Sequence, residues 1–316
     1  MSASLLAPLS GGSEALSLFI ALGSVCTSLL FVAPRRGPAL PLSKPGGMPI
    51  VALILAVALA AAPAGPVSVA YAGSLVHVME GPLATQVHAD TGITFEGEGK
   101  GSKELAHLIE SRLRAPDIFL SADASLLEEL RTRPQPLVHG YVVFGSARMV
   151  IACSEKSAIC PQLIDAAAHN KPLLGLLEQA RVGRTDPQLD PKGARTIRSL
   201  TLLGSAEHNP ALAQRVIAAA SVFPEENLAV RVESGELDAG FFYSTEVPGR
   251  HLRTVELPPG ANLSDAIQYG IAQLAAAPHP LQAQTFLRYL LTGHGRQILE
   301  AAGIRYFARP IVTGTP

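Results

Sequence analysis

No charge of either sign dominates this sequence. Its 316 residues carry 25 Lys plus Arg against 26 Asp plus Glu, and charged residues make up only 16% of the chain. A formal net charge of −1 argues against nucleic acid or an anionic membrane surface as the partner, because both call for a strongly basic face. An anion bound by such a chain has to be held locally, by backbone dipoles and hydroxyls. Tryptophan is absent, and past residue 66 there is no internal repeat and no low-complexity stretch. Cysteine is scarce as well: Cys26, Cys153 and Cys160. No histidine accompanies them at metal-ligand spacing, which leaves no zinc site to argue for. A G-x-S-x-G nucleophile elbow is missing and no base stands out, so a serine enzyme has no support.

What the sequence does contain is apolar residues, 48% of the total, with 28 Gly and 25 Pro. That composition is neither disordered nor highly charged and implies many short elements joined by turns. The length allows one large domain or two lobes with cores of their own. The N-terminal region, residues 1–65, reads differently from the rest. Residues 15–33 and 50–62 are charge-free apolar runs separated by the basic, Pro/Gly-rich "PRRGPALPLSKPGGM". The second run has the length of a signal-peptide core rather than a membrane span, and small residues suited to cleavage follow it. The expectation is an exported protein whose mature domain starts near residue 66. Other readings stay open: a start at Met48, which leaves the leader without its positive flank, an uncleaved helix, and anchoring by the first run. In an exported chain Cys153 and Cys160, which bracket a short polar loop, are candidates for a disulfide, with the free form equally open.

From residue 66 onward, short β-rich runs alternate with helical ones. "PVSVAYAG" reads as a strand and "LVHVMEGPLATQVHADTG" as a helical face; "ITFEGEG" is a strand leading to the helix "SKELAHLIESRL", and "PDIFLSAD" is a buried strand. Such a β-α-β-α-β series predicts a parallel sheet covered by helices. The long strand-like "GYVVFGSARMVIAC" can cross to a second lobe. Two Gly-Ser helix starts stand out, at Ser74 ("YAGSL") and Ser102 ("GKGSKEL"). Each is explained either as an ordinary N-cap or as half of an oxyanion grip, since helix starts beyond parallel strands converge on one crevice.

These segments resemble the periplasmic solute-binding proteins of molybdate/tungstate ABC transporters, over about residues 66–305. "AGSL" and "GKGSKEL…PDIFLSAD" are similar to the family's two anion loops, "GRTDPQLDPKGAR" to its Asp-Pro loop, and "VESGELDAGFFYST" to its tyrosine segment. The resemblance implies an α/β, two-lobed, type II periplasmic-binding-protein-like fold with the ligand in the interlobe cleft. Lobe I would comprise 66–143 plus 248–316 and lobe II 144–247, hinged near 144–150 and 243–247. It also implies Ser74, Ser102, Asp190, Glu225 and Tyr243 as oxyanion-binding residues, helped by backbone N–H groups of 190–193. In the family's archaeal branch an Asp and a Glu stand at the positions of Asp190 and Glu225 and reach the molybdenum or tungsten itself.

The family's archaeal loop commonly reads "DPCGYR", whereas this chain has "DPKGAR", with Lys192 either offsetting charge at the cleft mouth or facing solvent. Both carboxylates also have local readings. Asp190 sits in an Asp-Pro turn, Glu225 opens a helix, and one of them, protonated, would donate to an oxo group instead of coordinating. Tyr243 in apolar "GFFYS" also reads as a core residue. The resulting expectation is a monomeric receptor, not an enzyme. It needs no cofactor, takes molybdate or tungstate as ligand and has an ABC permease as partner. Sulfate, phosphate or a small organic acid is the alternative ligand.

Overall fold

The computed structural model describes residues 65–316; the apolar N-terminal runs, with the expected signal or anchor, lie outside the described residues. Two mixed sheets organise the chain. The first has the order β11-β4-β10-β3-β1-β2 and the second β7-β6-β8-β5-β9. In the first, β1 (Val67–Ala72) lies between β2 (Phe95–Lys100) and β3 (Ile118–Ser121), all parallel. Then β10 (Gln268–Gln273) runs antiparallel to both β3 and β4 (Gly140–Ser146), and β11 (Arg305–Gly314) closes the edge against β4. In the second, β5 (Met149–Ser154) lies antiparallel between β8 (Ala239–Tyr243) and β9 (Leu252–Glu256); β6 (Val182–Thr185) and β7 (Ser221–Phe223) add parallel to β8. The central strands β3, β4, β5 and β8 are buried along their whole length, as apolar runs covered on both faces should be.

The expected parallel sheet is thus confined to β1, β2 and β3. The lobe boundaries also shift. Position 144 falls inside β4, so the outward crossing is the short link between β4 and β5. β9, placed by its sequence position in lobe I, pairs with β5 in lobe II. The return crossing therefore lies between β9 and β10, well after the expected 243–247. β6, inside a stretch read as loop, and β7 and β11 complete the sheets. β11 tolerates Pro310 because it is an edge strand with a register shift.

Helices cover both sheets, and their starts decide where the site forms. After β1 the chain makes a 3-10 turn (Gly73–Leu75), a short helical turn α1 (Val76–Val78), a π-turn (Met79–Leu83) and then α2 (Ala84–Thr91). The expected continuous helix breaks at Gly81, which has non-helical backbone angles. Pro82 offers no N–H and disfavours helical geometry in the residue before it. α3 (Ser102–Glu110) and α4 (Ala124–Arg131) follow β2 and β3. In the second lobe come α5 (Cys160–Ala168), α6 (Leu174–Gln179), α7 (Pro191–Ala206), α8 (Pro210–Ala219) and α9 (Glu225–Ser234). α10 (Pro280–Leu291) and α11 (Gly293–Ala301) return to the first lobe. Cys153 and Cys160 form a disulfide between the end of β5 and the start of α5. Among the described residues no helix is long and apolar enough to cross a membrane.

Candidate functional site

Both Gly-Ser junctions lie where strands of the first sheet hand over to helical turns. Ser74 follows β1 and Ser102 follows β2, whose last residues are in register with one another (Ala72 opposite Lys100). Neither serine is an N-cap. The caps are Ala72 and Gly101, and neither serine makes a capping side-chain bond. The ordinary explanation for both serines is therefore removed. Both are buried. Ser102 Oγ accepts from Ala122 N at 3.2 Å, which leaves its own proton to donate. Ser74 Oγ shares a 2.9 Å hydrogen bond with the Tyr269 hydroxyl, which also bonds Thr245 Oγ1 of the other lobe.

The two glycines that precede the serines explain the motif. A Cβ on Gly73 would collide with the side chain of Glu225, and one on Gly101 with Leu189 O and the Asp190 side chain. Each glycine thus admits one carboxylate from the second lobe. The lobes meet closely around them: Glu104 N donates to Leu189 O at 3.0 Å, and Lys103 Nζ to Pro187 O at 3.0 Å. The structure therefore brings Ser74, Ser102, Asp190, Glu225 and Tyr243 to one interlobe cleft. A cavity of about 240 Å³ opens there between Gly101, Asp190 and Glu225. A roomier one of about 540 Å³, around Lys171, Leu203 and Pro258, shares none of these residues.

Asp190 is the N-cap of α7. Its Oδ1 accepts from Lys192 N at 3.0 Å, while Oδ2 is buried without a hydrogen-bond partner. An unpartnered buried carboxylate oxygen is uncommon and asks for an explanation. Glu225 is the first residue of α9 and is buried. Burial pushes its carboxyl well above the usual range, and neighbouring Asp190 adds to that push, against the pull of Lys192. The N–H groups of 190–193, implied as ligand contacts, are already engaged. Asp190 N donates to Asp186 O, Lys192 N to Asp190 Oδ1 and Gly193 N to Asp190 O, and Pro191 has none.

Tyr243 ends β8, fully buried. Its hydroxyl accepts from Arg195 Nη1 at 2.6 Å, so its own proton is free to donate. Burial raises its pKa, with Arg195 opposing, and the phenol stays neutral. Arg195 itself, from α7, also donates to Ala122 O, Asp123 Oδ2 and Ala266 O, joining both lobes and the return crossing.

Lys192 does not face solvent. It is 0% exposed, and its ammonium lies 2.5 Å from Glu225 Oε2 and 2.7 Å from Glu246 Oε1. Burial works against that charge, but Glu225, Glu246 and Asp190 outweigh it and raise the pKa. Sequence reasoning missed Arg195, Glu246 and Tyr269 altogether. The one available signal for Arg195 was its place one turn into the helix that Asp190 caps. Among the described residues no group of three or more His, Cys, Asp or Glu is arranged to hold a resident metal ion.

Two sheets joined by two crossings, with hydroxyls from one lobe facing acids and a tyrosine from the other, define a type II periplasmic-binding-protein fold. The chain belongs to the bacterial extracellular solute-binding protein family, which it matches over residues 67–305. It superimposes on the periplasmic molybdate-binding protein of Azotobacter vinelandii with a TM-score of 0.62 at 19% identity, covering 75% of this chain and 98% of that one. It is 24% identical to the molybdate/tungstate-binding protein WtpA of Pyrococcus abyssi over 296 residues, 77% of this chain and 85% of that one. A Haloferax volcanii relative, provisionally named as an ABC transporter molybdenum-binding protein, is 32% identical over 199 residues, 63% of this chain. The match spans 62% of that relative's length.

Proposed function

We propose that this chain binds a tetrahedral oxyanion, molybdate or tungstate, in its interlobe cleft and delivers it to an ABC transporter permease, without catalysing a reaction. Ser74, Ser102 and Tyr243 donate hydrogen bonds to the oxo groups, and Asp190 and Glu225 approach the metal of the bound anion. A molybdenum(VI) or tungsten(VI) centre can add oxygen ligands beyond its own four, whereas the sulfur of sulfate cannot. A carboxylate beside the anion is therefore a ligand to the first kind and a repelling charge to the second. The molecule is exported, acts as a monomer on the outer side of the membrane, and carries its address or anchor in the N-terminal apolar region.

The observation that carries this reading is the pairing of each Gly-Ser junction with one acidic residue of the opposite lobe. The names of the molybdate-binding relatives support the choice of ligand. Calorimetric titration of the purified protein with molybdate, tungstate and sulfate tests it. Tight binding of the two metal oxyanions and much weaker binding of sulfate is the expected result. Equal affinity for sulfate would remove the metal-coordination part, and no binding of any oxyanion would overturn the whole.

A further inference from the structure

Lys192 takes no part in the oxyanion grip just described, yet the cleft is built around it. A fully buried ammonium is tolerated only where opposite charges surround it. Here Glu225 Oε2 and Glu246 Oε1 flank it at 2.5 and 2.7 Å. Phe242 and Tyr243 present their ring faces at 5.2 and 6.0 Å. Glu246 is fixed in turn, because its Oε2 accepts from Tyr243 N at 2.7 Å. Asp190 caps the backbone N–H of Lys192 itself. One cation thus sits among three carboxylates, directly behind the position at which Glu225 meets Gly73. Asp190 and Glu225 differ in consequence. Asp190 offers an unpartnered oxygen, whereas the outer oxygen of Glu225 faces an ammonium.

We propose that Lys192 is a specificity-determining residue that sets how strongly the acidic pair of this cleft discriminates between tetrahedral dianions. It does so by neutralising Glu225 from behind. This rests on the oxyanion reading above. Two ionised carboxylates without a counter-ion would exclude every dianion whose central atom cannot accept a carboxylate. With the ammonium in place that exclusion is softened, and the cleft admits sulfate-like anions more readily than its two acids alone would allow. Lys192 acts through Glu225; it is not itself a contact to the anion.

The test is a comparison of tungstate and sulfate affinities by calorimetry at mildly alkaline pH, in wild type, Lys192→Met, Glu225→Gln and the double variant. Lys192→Gln serves as a second single variant that keeps an N–H donor beside both carboxylates, should the methionine variant fail to fold. Removing the charge of Lys192 is expected to weaken sulfate about tenfold more than tungstate, so that the tungstate-over-sulfate ratio rises. Adding Glu225→Gln to either variant should bring the ratio back to the wild-type value or below. A purely structural lysine would lower the melting temperature without moving the ratio. Equal weakening of both anions, an unchanged ratio, or a raised ratio that Glu225→Gln does not reverse would overturn the proposal while leaving the oxyanion reading intact. Failure of wild type to bind either anion would instead overturn that reading, and this one with it.

Discussion

Gly73 and Gly101 are glycines because of what faces them across the cleft, and that makes them sensitive test positions. In Gly101→Ala the new methyl group would overlap Leu189 O, a backbone atom that cannot swing aside. Overpacking of this kind costs about 1–3 kcal/mol, and here the cost falls on the closed state that grips the ligand. Gly101→Ala should therefore weaken tungstate binding by about ten- to a hundredfold with little change in melting temperature of the unliganded protein, measured by calorimetry and thermal unfolding. The acidic pair gives a second expectation. Asp190→Ala and Glu225→Ala should each weaken tungstate more than sulfate; if both variants keep wild-type tungstate affinity, the two acids serve only their helix starts. The five candidate residues were legible because each sits at a strand–helix junction or in a local motif. Lys192, Arg195 and Glu246 were not, since their roles depend on partners from other elements. A lysine at the second position of a helix reads as a surface residue until the fold places Glu225 and Glu246 around it.

Among the secondary-structure elements, β8 and the turn before it show how the second sheet is held in position. Asp238 takes a two-pronged contact from Arg181 and a 2.7 Å hydrogen bond from Ser157 Oγ. The Arg181 hydrogen bond is the main reason its carboxyl lies far below the usual range. A depressed carboxyl stabilises the fold above the unfolded-state pKa, about 3.9, and loses that contribution as pH falls through the lower folded value. Asp238→Asn should thus lower the melting temperature by a constant amount from neutral pH down to about pH 5, and the gap to wild type should close in stronger acid. The helices and core strands of this lobe were readable from apolar periodicity. β7, β9 and β11 were harder for a physical reason. They are short or half-exposed, and their sheet membership is set by pairing with β6, β5 and β4 rather than by their own sequence.

Taken as a whole, the molecule is two lobes joined by two crossings and closed on one another, and Arg195 is the side chain that spans most of that arrangement. Its four hydrogen bonds reach Ala122 and Asp123 in lobe I, Tyr243 in lobe II and Ala266 in the return crossing. Charge-assisted bonds of this kind are worth about 1.5–3 kcal/mol each, and they are lost when the lobes part. Arg195→Ala should shift the unliganded protein toward an open form, seen as a larger radius in small-angle X-ray scattering, and weaken tungstate by about tenfold or more. The central claim is that the Gly-Ser junctions and the acids opposite them form one oxyanion site. Its most direct test is a crystal structure of the protein grown with tungstate, with the metal located by its anomalous scattering. The account predicts tungsten in the interlobe cleft, its oxo groups bonded by Ser74, Ser102 and Tyr243 and the free oxygen of Asp190 turned toward the metal. Tungsten found only outside that cleft, or in it without contact to either serine, would contradict the account.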